Sequence, residues 1–178
     1  MACAVLLADF VSGVVHWAED AYARFKPVRR LPLINRVALD NDLHHRRPGE
    51  FLARSWWQSS WDLALIGATI IAAAWAMGVR SCAIVVFVNL SINANQRHKW
   101  THRNPRENPW WVTQLQRVYV LQTPRHHGRH HAGKKNSHYC VVTNFLNLVL
   151  EEVSFWRRLE LLVDRLRGRA PAASRRHS

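Results

Sequence analysis

Leu63-Ala64-Leu65-Ile66-Gly67-Ala68-Thr69-Ile70-Ile71-Ala72-Ala73-Ala74-Trp75-Ala76-Met77-Gly78-Val79 runs for seventeen residues without a charge. At ~1.5 Å per residue a helix of this length reaches roughly 26 Å, close to the hydrocarbon thickness of a bilayer. Gly78, Arg80 and Ser81 break it, and Cys82 to Ile92 is uncharged again before the polar Asn93, Ala94, Asn95 and Gln96. The pair predicts a transmembrane hairpin, and the fold class is an all-α integral membrane domain. A buried hairpin in a soluble bundle is the competing reading, favoured by the borderline lengths and a mean hydropathy of −0.22. Charge asymmetry supports the membrane. Arg80 is the sole basic residue at the hairpin tip, while nearly all others flank the opposite ends, which the positive-inside rule places on the cytosolic side or its equivalent. Trp56, Trp57 and Trp61 lead into the hairpin as interfacial aromatics.

The returning arm runs directly into Asn95-Gln96-Arg97-His98-Lys99-Trp100-Thr101-His102, where His98 and His102 are one helical turn apart. Further on, Thr123-Pro124-Arg125-His126-His127-Gly128-Arg129-His130-His131 holds four of the chain's eleven histidines within six residues. Thr123 suits an N-cap and Pro124 the first helical position, so a helix is predicted to begin here. The spacing pairs His126 with His130, and His127 with His130 and His131. His44 and His45 are contiguous between Asp42 and Pro48, and His16 lies in the apolar start of the chain. Clustered imidazoles suit iron, zinc, copper or nickel rather than calcium or magnesium. Nine histidines in four places exceed what one zinc needs, so two metals fit the count better. A basic surface run is the bland alternative, since Arg125, Arg129, Lys134 and Lys135 surround the densest cluster.

Met1 to Ala18 suits a helix packed closely in a membrane or against other helices. It does not read as a signal peptide, lacking a basic start and carrying Asp9 in its apolar run. Asp9, Ser12, His16 and Asp20 lay one polar stripe along it, and ionisable groups in an apolar helix usually face a functional interior. Arg24 to Asp62 reads as a polar loop bearing His44 and His45, in which Asp40, Asn41 and Asp42 either orient imidazoles or cap the next turn. Trp110 to Gln122 is amphipathic at helical period, Val141 to Leu150 is too short to span, and Phe155 to Leu166 reads as a surface helix. The expected division is a domain over 1–166 and a flexible basic tail over 167–178, with no role for His177. A net charge of +13 predicts attraction to anionic lipid or nucleic acid, and the hairpin favours lipid. Cys3, Cys82 and Cys140 show no paired spacing, so no disulfide is expected.

In order along the chain, Ser12-Gly13-Val14-Val15-His16-Trp17 with Asp20, His44-His45-Arg46-Arg47-Pro48, the run from Asn95 to His102, Leu115-Gln116, Pro124 to His131, Tyr139-Cys140 and Leu146-Asn147 resemble the Kua/CarF lipid desaturases. That family includes plasmanylethanolamine desaturase and the plastid desaturase that makes the trans-3 double bond of palmitate in phosphatidylglycerol. The resemblance extends from about residue 8 to residue 163. Arg54, Ser55 and Lys135 depart from the plasmanylethanolamine branch and resemble the plastid one, whereas Phe155-Trp156-Arg157-Arg158-Leu159-Glu160 resembles the plasmanylethanolamine branch. The resemblance implies a non-haem di-iron centre, oxygen as co-substrate, a membrane lipid as substrate and an external electron donor such as cytochrome b5 or ferredoxin. It assigns His16, His44, His45, His98, His102, His126, His127, His130 and His131 to the metals, with Asp20, Asn95 and His138 as supporting residues. These clusters would form a cap on the cytosolic or stromal-equivalent face. A zinc-dependent membrane hydrolase and a non-enzymatic membrane metal-binding protein are the alternatives. The first lacks a His-Glu-x-x-His motif, and a nucleic-acid-binding module has no use for the hairpin.

Overall fold

In the computed structural model, which describes residues 1–22, 44–132 and 137–168, the regular elements are helical, with one isolated antiparallel bridge between Leu121 and Thr143. The helices are α1 (Ala2–Tyr22), α2 (Pro48–Ala53), α3 (Trp56–Ala76), α4 (Cys82–Ile92), α5 (Ala94–His102), α6 (Trp110–Arg117), α7 (Pro124–His131), α8 (Phe145–Glu152) and α9 (Phe155–Leu166). Among the described residues, α1 and α3 are long and apolar enough to cross a membrane.

The first hairpin arm starts earlier than expected. The Ser55 hydroxyl accepts from Gln58 N–H while the Gln58 side chain accepts from Ser55 N–H, a capping box that draws Trp56 to Asp62 into the helix rather than the preceding loop. It ends at Met77, where Gly78 takes φ +75° and the Val79 and Gly78 N–H groups return to the Ala74 and Trp75 carbonyls. The buried residues of α3 are Ser60, Gly67 and Ala74, seven apart and all small. Trp57, Trp61, Leu65, Ile66, Ile70 and Trp75 face outward. A soluble helix would bury its large apolar side chains and expose its small polar ones, so α3 has the inside-out pattern of a helix in lipid. At Gly67 an added Cβ would lie 2.7 Å from Val88 and 2.8 Å from Ile92, so the two arms touch backbone to side chain.

The return arm α4 has only eleven residues and stops at Asn93, whose side chain accepts from Trp56 Nε1 and donates to the Asn89 carbonyl. Helix resumes at once as α5. The second helix of spanning length is therefore α1, which packs chiefly against α4. Trp17 of α1 joins Tyr139, Cys140, Leu150 and Trp156 in a buried cluster, so α8 and α9 hold the other side of α1. Gly13 permits that contact: a Cβ there would lie 2.6 Å from Cys140 Sγ and 2.9 Å from Trp156.

The amphipathic stretch 110–122 is not one helix. It stops at Arg117, Tyr119 adopts φ +59°, and the Val120 and Leu121 N–H groups turn back to the Leu115 carbonyl, which delivers Gln122 beneath the segment 137–143. That extended segment is tied along its length. Val142 N–H donates to Asp9 Oδ1 at 2.9 Å, Val141 N–H to Ser12 Oγ at 3.3 Å, and Gln122 Nε2 to the Cys140 carbonyl at 2.7 Å.

Candidate metal centre

Helices α5 and α7 bring the first set of imidazoles together. Thr123 Oγ1 accepts from His126 N–H and Pro124 opens α7, as the sequence predicts. The i,i+4 pairs His98/His102 and His127/His131 then face each other. His98 Nε2 lies 2.9 Å from His127 Nε2, His102 Nε2 lies 3.1 Å from His98 Nε2 and 3.0 Å from His127 Nε2, and His131 Nε2 lies 3.0 Å from His127 Nε2. With His44, these ligand atoms lie within 4.8 Å of one another.

Three mutually adjacent Nε2 atoms cannot satisfy one another. Each neutral ring nitrogen carries either one in-plane hydrogen or one lone pair. One hydrogen cannot point along two sides of the triangle, so the arrangement suits a cation that accepts several lone pairs at once. A metal–nitrogen bond of ~2.1 Å separates ligands by roughly 3.0 Å at right angles and roughly 3.4 Å in a tetrahedron. The observed 2.9 to 3.1 Å matches right angles, and five imidazoles exceed a tetrahedral set.

His16, Asp20, His45 and His130 form a second set, also within 4.8 Å of one another. His45 Nε2 is 2.8 Å from Asp20 Oδ1, and His130 Nε2 is 3.1 Å from Asp20 Oδ2 and 3.4 Å from His45 Nε2. His130 Nδ1 lies 2.8 Å from the Ser137 carbonyl and His16 Nδ1 lies 3.1 Å from the Tyr139 carbonyl. A carbonyl only accepts, so both Nδ1 atoms carry the hydrogen and both Nε2 atoms present lone pairs. His16 Nε2 is buried with no hydrogen-bond partner, and His130 Nε2 faces a carboxylate. Both features fit a cation.

The two sets abut. Rings of His44 and His45 are 4.3 Å apart, those of His130 and His131 5.2 Å, and those of His16 and His98 5.1 Å. The contiguous pairs His44-His45 and His130-His131 thus each send one imidazole to each set, because successive residues on a helix point about 100° apart. Phe51 of α2 covers the first set, 5.3 Å from the His98 ring and 5.6 Å from that of His44.

Three expectations place differently. His126 points away from both sets and faces His138, rings 4.8 Å apart, so its expected pairing with His130 is replaced by that contact. The Asn95 amide donates to the Ser59 carbonyl and joins α5 to α3. His138 sits beside Glu151 rather than within either set. Asp20, expected in a supporting role, lies among the second set's ligand atoms, and its i,i+4 spacing from His16 was the signal for it. Asp40, Asn41, Asp42, Lys135 and His177 lie outside the described residues.

Lys99 carries no such signal, since a lysine beside a histidine reads as a solvated charge, yet it is almost wholly buried. Its ammonium donates to the Arg54 carbonyl at 2.8 Å and Ser59 Oγ at 2.9 Å, tying α5 to the α2–α3 junction. Burial, with Arg103 and Arg54 nearby, pushes it down to about 8.

Burial and mutual repulsion favour the neutral form of the first set's imidazoles. Burial first, then His45 and His130, hold His102 down at about 4, and burial with His102 and His130 holds His131 at about 2. His98, His127 and His44 are shifted down for the same reasons. Neutral imidazoles with converging lone pairs are what a transition metal binds.

The chain is similar to proteins named as lipid or fatty acid desaturases. A probable fatty acid desaturase of Acanthamoeba polyphaga mimivirus is 35% identical over 174 residues, covering 94% of this chain and 82% of that protein. Mouse plasmanylethanolamine desaturase 1 is 30% identical over 181 residues, covering 94% and 65%. Fatty acid desaturase 4 of Arabidopsis thaliana chloroplasts is 29% identical over 160 residues, covering 88% and 48%. The chain therefore spans about half to two thirds of the length of the latter two. No solved structure matches. The lipid desaturase domain pattern covers residues 5–174, taking in every histidine of both sets, and the chain belongs to the lipid desaturase family.

Proposed function

We propose that this protein is a membrane-bound, oxygen-dependent lipid desaturase whose two histidine sets each hold one iron. The observation that carries the reading is the convergence of nine ligand residues into two abutting sets beside helices that face lipid. His44, His98, His102, His127 and His131 would hold one iron, and His16, Asp20, His45 and His130 the other. Iron supplies oxygen activation and the oxidising power to remove two hydrogens from an unactivated alkyl or acyl chain. Oxygen takes those two hydrogens together with two electrons and two protons, leaving two waters. Since the chain carries no Cys-x-x-Cys cluster motif or dinucleotide fingerprint, the electrons come from a separate donor of the cytochrome b5 or ferredoxin kind.

The residues' own work is positioning and exclusion. The Ser137 and Tyr139 carbonyls fix the tautomers of His130 and His16, Asp20 adds the only anionic ligand among the described residues, and Phe51 covers the first set. Charge bias at the hairpin supports a cap on the cytosolic side or its stromal equivalent. The test is lipid analysis of a host expressing the chain, compared with His98→Ala and His130→Ala. A new vinyl-ether lipid or a new unsaturated acyl chain, absent with both variants, is expected. No new lipid despite normal expression and a competent donor, or full product from both variants, contradicts the reading.

A further inference from the structure

Two of the three histidines in the second set are oriented by one short backbone segment. His130 Nδ1 donates to the Ser137 carbonyl and His16 Nδ1 to the Tyr139 carbonyl, two residues apart in sequence. Successive residues of an extended strand send their carbonyls in opposite directions and carbonyls i and i+2 to the same side, so a left-handed residue between them resets how the two carbonyls aim relative to each other. That residue is His138, and it is one of three described non-glycine residues with positive φ, at +59°. Left-handed backbone at a side-chain-bearing position persists only where its surroundings hold it. Glu151 holds it here: Oε1 accepts from His138 N–H at 2.8 Å. One turn earlier on α8, Asn147 clasps Cys140, next to Tyr139, with Cys140 N–H donating to its Oδ1 at 3.0 Å and its Nδ2 donating to the Cys140 carbonyl at 2.8 Å. Asn147 is fully buried, and the i,i+4 spacing points both side chains along one face of α8.

None of these hydrogen bonds ends on an imidazole of the first set. We infer that Glu151, through the His138 backbone, is the positioning residue for the second metal alone, so that α8 sets the occupancy of one of two otherwise adjoining sites. The His138 imidazole is not needed for this. Its ring faces His126 and Glu151, outside both ligand sets, and it is the N–H that Glu151 grips. This inference rests on the two-metal reading above.

Detergent-purified protein, stripped with a chelator, would be titrated with cobalt(II), whose visible bands report its ligands, for the parent chain, Glu151→Ala, Glu151→Gln and His138→Gly. The parent should take up two equivalents. Glu151→Ala should bind the first normally and the second about 10- to 100-fold more weakly, the usual cost of losing an outer partner of a metal ligand. Glu151→Gln keeps an acceptor oxygen and should restore the second site. His138→Gly keeps the N–H and tolerates the left-handed backbone, so it should also retain two equivalents. Two tight equivalents in Glu151→Ala, loss of both equivalents from a folded Glu151→Ala, loss of the second in Glu151→Gln, or its loss in His138→Gly would each overturn the inference. If Glu151→Ala does not fold, the Gln and Gly variants decide alone. A parent that fails to bind two metals refutes the two-metal reading instead, which separates the two failures.

Discussion

His127 is the hub of the first set, with its Nε2 within 3.0 Å of three others, and removing it should act in opposite directions on the metal-free and metal-loaded protein. In the metal-free chain, His127→Ala relieves lone pairs crowded around one point, so its thermal midpoint should match or exceed the parent's. With metal bound the balance reverses. Structural zinc sites of four ligands bind with roughly 10 to 16 kcal/mol, or ~3 kcal/mol per ligand, and a tenfold change in affinity is about 1.4 kcal/mol, so one lost imidazole weakens binding about a hundredfold. At a metal concentration near 100 times the parent Kd, the parent gains ~2.7 kcal/mol and the variant only ~0.4, so the variant should forfeit ~2.3 kcal/mol of metal-dependent stabilisation. For a chain of this size that is roughly 5 to 9 °C of the metal-induced rise in midpoint. The assay is thermal unfolding in detergent with and without iron(II) under anaerobic conditions. A variant whose metal-induced rise equals the parent's would refute the ligand role of His127 and the convergence argument with it.

Protonation should compete with metal in a defined window. His102 titrates at about 4 in the fold against 6.5 unfolded, and His131 at about 2, so the unfolded chain binds protons first as pH falls. Stability of the metal-free protein should therefore be fullest above about pH 6.5 and decline as pH falls through 4 and below, and midpoints that rise on acidification would contradict this. Gly13→Val should cost about 1 to 3 kcal/mol, because its side chain meets Cys140 and Trp156 at contact distances a Cβ cannot take, and an unchanged thermal midpoint would mean α1 packs elsewhere. The outward apolar face of α3 predicts that alkaline or high-salt washing leaves the protein in the membrane fraction, and release without detergent would return the hairpin to a soluble bundle.

The start of α7 was legible because capping chemistry is local, with Thr123 and Pro124 marking it. The uncharged run from Leu63 marked the body of α3 but not its start at Trp56. The polar stripe of α1 was legible too, since Asp9, Ser12, His16 and Asp20 share a helix face. What Asp9 and Ser12 bind was not legible, because their partners at Val142 and Val141 lie some 130 residues away and are backbone groups without identity. The same holds for the division of ligands. Sequence spacing pairs His126 with His130 as readily as His127 with His131. Only the approach of α5 decides that His127 and His131 serve one set, His130 the other, and His126 neither. The apolar run of α4 was legible as Cys82 to Ile92, but the break between α4 and α5 was not, because the polar residues that follow continue as helix with Asn93 as the mark of the change.

The central claim is tested most directly by measuring iron in the protein purified from cells grown with iron and extracted gently in detergent. Two irons per chain in the parent, falling to about one in both His127→Ala and His130→Ala, is the result expected from one metal in each set. One tightly held zinc, or no metal in a folded and membrane-derived parent, would contradict it.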